Sequence, residues 1–417
     1  MNYTINKEKL IDSRIDVIDS FTVGTRLVVL LYLKPKGKYT CAHCGSCNTI
    51  LYGIKYKKIK IVLDDIYEND VSLKFHRIYC KDCLRIFNDE TNLVSLNKNV
   101  SHRTTYKILS ELKEDLTFTY IAKDNQVSID TIIKIFEKYV PDKYYELPEV
   151  MCIDEFKNLK SAKGKYAFVI YDPVNQIVID VLEDRRLDTL RKYFYNRSLS
   201  ERENVKYIIS DMNETYAYIA KMYFPFATYV VDCFHYLRYV EDAFNDVRIR
   251  VQSKFKTNTS EYKILKKNWK VLSSYIVDIE HGYGEIYNPI ENSKTNIDDI
   301  INDSLFIDDE LFYSYDMLQS FLKMAKRCKY EDIDTELDKW IETIKDTEIK
   351  EFNSLYKMFK SWKEPIKNSF IRFGDKRLSN GPMEGINNKI KSIKKISYGY
   401  NNFNHFKRRI KMIINRK

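Results

Sequence analysis

Two pairs of cysteines near the N-terminus constrain the fold more than any other feature of the sequence. Cys41 and Cys44 form one C-x2-C pair, and Cys80 and Cys83 form a second pair after 35 intervening residues. Together the pairs offer four thiolates to one tetrahedral zinc ion, and the segment between them has β character, which is typical of a zinc ribbon. Four free thiols or a redox pair are the alternative, but no thioredoxin-like βαβ pattern surrounds either pair.

Composition places the chain among globular proteins with a polyanionic partner. The 417 residues allow two to four domains, and 44% are hydrophobic and 31% charged. The sequence has no apolar run of about 18 residues and no signal-peptide pattern, so we expect a cytoplasmic, nucleoid-associated protein without a membrane span. The net charge of +10 suits DNA, although AT-rich codons also favour lysine. Residues 381–417 hold ten Lys/Arg and one acidic residue, so this tail is an expected phosphate-binding surface. Its candidate contacts are Lys394, Lys395, Lys407, Arg408 and Arg409.

Residues 101–145 show the spacing of a helix-turn-helix, after a ribbon domain that we assign to residues 1–100. Ala122 is the small residue of the first helix, and Ser128 caps the second. In a DNA-binding helix-turn-helix the second helix enters the major groove, which makes Ser128 and Thr131 candidate DNA contacts. A plain helical hairpin is the alternative. The predicted buried residues of the second helix are Ile132, Ile133 and Phe136.

Residues 146–236 change to the pattern of a mixed α/β sheet. Strands are predicted at 151–154, 166–171, 176–182, 205–211 and 227–232, with a helix near 214–222. Asp154 and Asp211 fall at the ends of strands, where active sites collect in open α/β sheets. Residues 237–375 follow as a helical insertion without clear strands, with a loop at 288–309.

A helix with two distinct stripes is predicted from residue 380 onward. Asn380 suits its N-cap and Pro382 its first turn. One stripe is apolar and consists of Met383, Ile386, Ile390 and Ile393. The other is polar and consists of Glu384, Asn388, Lys391 and Lys395. An amphipathic helix with a solvated face is the simplest interpretation, and metal binding by Glu384 is the functional one.

Two aspartates on neighbouring strands and a glutamate on a later helix can together hold two divalent ions. Hard oxygen ligands select Mg2+ or Mn2+, and two such ions about 3.5–4 Å apart support in-line displacement at phosphorus. The chemistry that Asp154, Asp211 and Glu384 would perform is therefore phosphoryl transfer on a nucleic acid.

Several motifs resemble those of bacterial insertion-sequence transposases of the DDE type, specifically the ISL3 family. The resemblance runs nearly end to end. The motifs that carry it are IDEF (153–156), SDM (210–212), VDCFH (231–235), SNGPMEGINNKIK (379–391) and YGYNNF (398–403). Ala42, Cys233 and Lys395 replace residues that are common in that family, and none of them is a predicted metal ligand.

The resemblance implies an α/β multidomain fold with an RNase H-like catalytic core that an all-α insertion splits before its last helix, which lies in residues 376–417. It implies that Asp154, Asp211 and Glu384 are the catalytic metal ligands. Asp232 and His235 would assist by positioning DNA or water, although a buried structural histidine is an equal alternative for His235. The expected partners are double-stranded terminal repeats and target DNA, bound by at least a dimer. The candidates for holding the DNA backbone at the metal site are Asn388, Lys391, Lys394 and Lys395.

Three functions are compatible with these motifs. The first is a transposase that nicks element ends and joins them to target DNA. The second is a DNA-binding repressor with a catalytically dead sheet, and the third is a metal-dependent nuclease without strand transfer. The presence of all three acidic residues favours an enzyme. We also expect Glu155 to point away from the metal ions, because adjacent strand residues face opposite sides of a sheet.

Overall fold

The computed structural model describes residues 3–95, 97–279, 284–396 and 400–415, and within them the chain is a mixed α/β protein. The chain divides into two compact units. The first comprises Met1–Tyr144, Leu159–Ala162 and Lys389–Lys417, and the second comprises Tyr145–Asn158 and Lys163–Asn388. None of the described helices combines the length and the apolar character needed to cross a bilayer.

The first unit begins with a short 3-10 helix, Lys7–Leu10, and a five-stranded sheet. Its strands are β1 (Ile15–Val23), β2 (Arg26–Leu33), β3 (Thr49–Ile59), β4 (Glu68–Cys80) and β5 (Ile86–Asn88). The order is β1-β2-β4-β3, with β5 paired to β4, and only the β2–β4 pair is parallel. Every second residue of β2 is buried, so one face of this sheet covers a core.

Three helices follow in the same unit: α1 (His102–Glu111), α2 (Phe118–Asp124) and α3 (Ile129–Tyr139). Ser128 caps α3 as predicted, because its side chain accepts from the N–H of Thr131 at 3.3 Å. The prediction for the buried face was partly wrong. Ile132 and Phe136 are buried, but Ile135 is the third buried residue and Ile133 is only half-buried, because the helix turns its buried stripe toward α1 and α2.

The second unit contains a five-stranded sheet that the sequence predicted strand for strand. The elements are β6 (Val150–Lys157), β7 (Tyr166–Asp172), β8 (Ile177–Leu182), α4 (Leu187–Tyr195), α5 (Leu199–Asn204), β9 (Tyr207–Ser210), α6 (Glu214–Tyr223) and β10 (Thr228–Val231). The strand order is β10-β9-β6-β7-β8, and β7 alone runs antiparallel to the others. The helices α4 and α5 were not predicted.

The insertion is helical, but it also contains strands. Its helices are α7 (Cys233–Gln252), α8 (Ser260–Lys267), α9 (Trp269–Ser273), α10 (Ile276–Ile279), α11 (Ile297–Leu305), α12 (Asp309–Arg327), α13 (Tyr330–Asp346), α14 (Lys350–Asn353), α15 (Tyr356–Ser361) and α16 (Lys363–Asn368). Two hairpins accompany them: β11 (Ile286–Asn288) with β12 (Ser293–Thr295), and β13 (Arg372–Phe373) with β14 (Lys376–Arg377).

The predictions of an all-α insertion and of a loop at 288–309 were therefore wrong. Within that polar run Asn296 caps α11 by accepting from the N–H of Asp299 at 2.9 Å. Ile297, Ile300 and Ile301 bury one side of the helix. Three apolar residues at helical spacing stabilise α11, and the acidic residues of its first turn favour the start of the helix.

Two helices end the chain: α17 (Gly381–Ile396) and α18 (Phe403–Ile414). The predicted stripes of α17 are present, since Met383, Ile390 and Ile393 are buried while Glu384 is exposed. The boundary between the two units falls after Asn388, inside this helix. The last turns of α17 and all of α18 therefore group with the N-terminal unit, whereas the sequence grouped residues 376–417 with the catalytic core.

Candidate catalytic site and cysteine cluster

Three aspartates align across the parallel strands of the second unit. β6 and β9 are parallel neighbours, and so are β9 and β10. Continued beyond the ends of β9 and β10, these registers set Asp154 level with Asp211, and Asp211 level with Asp232. Asp154 itself lies inside β6 and not at its end as predicted, because β6 continues to Lys157 in its pairing with β7. The N–H of Asp232 donates to the carbonyl of Ser210 at 2.9 Å, which extends the ladder by one residue. Because neighbouring strands lie about 4.8 Å apart, this aspartate row gathers negative charge at the carboxyl edge of the sheet.

The carboxyl group of Asp154 is strongly perturbed by its surroundings. Burial and the negative charge of Asp211 raise the pKa of Asp154 to about 7. Two donors act against this rise: the N–H of Glu155 at 2.7 Å from Oδ1, and Nδ2 of Asn387 at 2.7 Å from Oδ2. Two carboxylates this close repel each other, and a divalent cation between them would remove the repulsion. The donor set therefore fits Mg2+ or Mn2+.

His235 lies in the first turn of α7 and contacts the same row. Its Nε2 is 2.7 Å from Oδ1 of Asp211. This hydrogen bond raises the pKa of His235 against the opposing effect of burial, and the charges of Asp211, Asp232 and Asp154 add to the rise. A protonated His235 balances part of the negative charge of the row. The ring is half-exposed, so it is not a fully buried core histidine.

Two contacts fix the start of α17 against the aspartate row. Asp232 is 7% exposed, and its Oδ1 accepts from Oγ of Ser379 at 3.2 Å and from the N–H of Asn380 at 3.0 Å. Further along, Asn387 donates to the first aspartate of the row. Glu384 lies between these two anchors and one turn before Asn387, on a neighbouring position of the helix surface. The fold thus brings the helix that carries Glu384 to the aspartates.

The N-terminus of α17 is capped differently from the prediction. The side-chain oxygen of Asn380 is buried and makes no hydrogen bond within the described residues. Oγ of Ser379 instead accepts from the N–H of Gly381 at 3.0 Å. The side chain of Ser379 therefore satisfies one of the free N–H groups at the start of the helix.

Glu155 points away from the aspartate row, as strand alternation predicts. Its carboxylate pairs with Arg185 and accepts from the hydroxyl of Tyr216 at 2.5 Å. The acid that follows Asp154 is therefore neutralised within the protein.

The three predicted metal ligands do not all meet at one point. Among the described residues, the cysteine cluster is the one group of three or more potential ligands whose donor atoms all lie within 4.8 Å of one another. Asp154, Asp211 and Glu384 therefore do not reach that mutual spacing. Two ions held by different pairs of carboxylates do not require it. The role of these residues as ligands stays a prediction.

The four cysteines of the two C-x2-C pairs do converge. Sγ of Cys41 lies 3.6 Å from Sγ of Cys83, and Sγ of Cys44 lies 3.6 Å from Sγ of Cys80. All four donor atoms lie within 4.8 Å of one another. A tetrahedral zinc ion with Zn–S bonds of about 2.3 Å would place its sulfur atoms about 3.8 Å apart. The cluster therefore has the size and chemistry of a zinc site.

Tight turns and polar contacts hold the two pairs in place. Gly45 adopts φ +76° beside the first pair, a conformation that favours glycine. Asp82 of the second pair bonds to Ser46 and accepts from Nδ2 of Asn48 at 2.7 Å, which joins the two turns. Burial opposes ionisation of Cys41, but the N–H of His43 and other donors outweigh it and lower the pKa of this thiol to about 7.

Three cations of the basic tail are engaged within the protein. Arg408 donates to carbonyl groups at the end of α3, with Nε 2.6 Å from the carbonyl of Val140. Arg409 is 1% exposed and donates to two carbonyl groups of the loop between α1 and α2. Lys407 pairs with Asp142 at 2.9 Å. Three of the five predicted cations thus tie α18 to the three-helix segment of its own unit.

The other predicted DNA contacts remain at surfaces. Oγ of Ser128 lies 2.9 Å from Oγ1 of Thr131 at the exposed start of α3. On α17 the side chains of Asn388, Lys391 and Lys395 are exposed. Lys394 is half-buried. Tyr398 and Gly399 of the last motif lie outside the described residues.

Sequence reasoning missed the two residues that fix α17, Asn387 and Ser379. Asn387 lies three residues after Glu384, a spacing that places it on the neighbouring face, but a pattern of polar stripes assigns it to neither stripe. The Asn-Asn pair at 387–388 was the available signal, and only its exposed member was chosen.

The chain is similar to known transposases. The sequence model of the ISL3 transposase family matches residues 151–410, a range that holds the aspartate row, the insertion and α17. A transposase for the insertion sequence element IS1001 of Bordetella parapertussis is 20% identical to this chain over 384 residues. That alignment covers 90% of this chain and 89% of the relative.

Proposed function

Because this chain belongs to the ISL3 family of transposases, we propose that it cuts and joins DNA strands by phosphoryl transfer at Asp154, Asp211 and Glu384. The observation that carries the proposal is the aspartate row, with the helix of Glu384 anchored to both of its ends. The mixed sheet, interrupted by an insertion before α17, supports an RNase H-like core for this site.

Divalent ions held by Asp154, Asp211 and Glu384 would supply the activated nucleophile and stabilise the leaving oxygen. The protein's own residues prepare that chemistry. Asp232 holds the start of α17, and thereby sets the position of Glu384 relative to the strands. His235 holds the carboxylate of Asp211 by a hydrogen bond and offsets its charge.

The N-terminal unit supports a DNA-binding role. A ribbon stabilised by zinc at the cysteine cluster, and a helix-turn-helix at α2 and α3, would recognise the terminal repeats of the element. Exposed Lys391 and Lys395 would neutralise backbone phosphates near the catalytic helix. Two element ends must be processed together, so we propose at least a dimer on DNA.

An in vitro assay with the element's own terminal repeats tests this function. With Mg2+, the protein should nick the repeat ends and join their 3′-OH groups to target DNA. Asp154→Asn, Asp211→Asn and Glu384→Gln should each lower cleavage by at least about 1,000-fold while repeat binding persists. Cleavage without joining would indicate a nuclease instead, and unchanged cleavage by any of the three variants would refute the assigned triad.

A further inference from the structure

Asn387 is a buried polar residue between the catalytic helix and the aspartate row. Its side chain is on the inner side of α17, and the residue is 8% exposed. Nδ2 of Asn387 donates to Oδ2 of Asp154 at 2.7 Å, while the N–H of Glu155 donates to Oδ1. Both oxygens of Asp154 are therefore engaged, so the carboxylate has one orientation.

The amide oxygen of Asn387 has no hydrogen-bond partner within the described residues. Its orientation follows from chemistry: metal binding requires the ionised form of Asp154, whose oxygens only accept hydrogen bonds, so in that form the NH2 group must face Asp154 and the amide oxygen must face elsewhere. A buried acceptor without a partner carries a free-energy cost. The missing partner must be a hydrogen-bond donor or a cation.

The surroundings of this oxygen indicate which partner it takes. Asn387 touches one predicted metal ligand, Asp154, and follows another, Glu384, by one helical turn. The pair Asp154 and Asp211 gathers negative charge beside it. An amide oxygen is a hard ligand of the kind that Mg2+ and Mn2+ prefer.

We propose that Asn387 is a positioning residue of the metal site: its NH2 group orients Asp154, and its Oδ1 faces a divalent cation, directly or through a water molecule of the hydration shell. The inference rests on the proposed function, because it takes Asp154 as a metal ligand. A residue that only anchored α17 to β6 would need the NH2 group alone and would leave metal affinity unchanged.

Mn2+ binding to the full-length protein, followed by the electron paramagnetic resonance signal of free Mn2+ at pH 8, tests the proposal without relying on activity. Asn387→Ala should weaken Mn2+ affinity by about 10- to 100-fold, as loss of a residue that orients a ligand does. Asn388→Ala, in which the exposed neighbour is truncated, is the matched control for metal affinity and should stay within twofold of wild type. Thermal melting in EDTA checks that each variant is folded.

If Asn387→Ala does not fold, a second variant tests the positioning role of Asn387. Asn387→Asp keeps the size and the oxygen but replaces the donor by a repelling carboxylate. It should melt below wild type in EDTA, and Mn2+ should raise its melting temperature by more than it raises that of wild type. An equal increment in both proteins, or an Asn387→Ala affinity within twofold of wild type, would overturn the positioning role.

The same Mn2+ measurements distinguish a failure of the proposed metal site from a failure of the role of Asn387. If wild type binds no Mn2+, or if Asp154→Asn binds it as well as wild type, then the metal site itself is wrong and the role of Asn387 falls with it. If Asp154→Asn loses Mn2+ while Asn387→Ala does not, only the role of Asn387 is refuted.

Discussion

Replacing Asp154 by Asn should stabilise the metal-free protein although it removes catalysis. Asp154 is held beside Asp211 with its pKa raised to about 7, so in the absence of metal its ionised form opposes folding. Asparagine has the shape of the neutral acid and removes the repulsion. A residue that mattered only for packing would show the opposite result, since most substitutions of buried residues destabilise.

The size and the pH dependence of this stabilisation follow from the raised pKa of Asp154. Below pH 3.8 the group is protonated in both the folded and the unfolded chain, and it contributes nothing. Between pH 3.8 and 7 the unfolded chain releases its proton while the folded protein retains it, so wild-type stability falls by about 1.4 kcal/mol per pH unit. The penalty is complete above pH 7, with a ceiling of about 4 kcal/mol. We expect about half of it, roughly 2 kcal/mol, because asparagine keeps only one acceptor oxygen for two donors.

Thermal unfolding in EDTA at pH 4, 6 and 8 measures this effect. The variant should melt about 4–8 °C above wild type at pH 8, by a smaller margin at pH 6, and below wild type at pH 4, where Asp154 is neutral and only the loss of one acceptor oxygen remains. Glu384→Gln is the control: it should lose cleavage equally, but it replaces an exposed carboxylate and should leave the melting temperature nearly unchanged. An Asp154→Asn protein that melts at or below wild type at pH 8 would refute the charge repulsion on which the metal site rests.

Two further predictions concern the N-terminal unit and the DNA. Cys80→Ser should lower zinc from about one ion per chain to a small fraction by atomic absorption, while Cys328→Ser, outside the cluster, should retain it; equal zinc in both would contradict the cysteine site. Replacing Lys391 and Lys395 by Gln should reduce the slope of log affinity against log salt by about 1.8 in a DNA titration, if each contacts one phosphate. Arg408→Gln should leave that slope unchanged and lower the melting temperature, because its guanidinium donates to carbonyl groups at the end of α3; a reduced slope for this variant would show that it does contact DNA.

The sequence by itself determined the local features of this protein. Strand alternation and apolar runs located all five strands of the second sheet, and helical spacing gave both stripes of α17. The cysteine cluster followed from two C-x2-C pairs, because two such pairs have the spacing of a site that could hold one zinc ion. These features depend on residues a few positions apart in the chain, so the local sequence pattern predicts them.

Only the tertiary structure decided which distant groups meet. The alignment of Asp154, Asp211 and Asp232 depends on strand register, and the bond from Asn387 to Asp154 joins residues 233 positions apart. Packing also decided what the arginines of α18 contact: the charge of this tail predicted DNA phosphates, yet they donate to carbonyl groups of the three-helix segment. These contacts depend on burial and on pairing between segments that are distant in the sequence. The periodicity of one segment does not determine which carbonyl or carboxylate group its side chains contact.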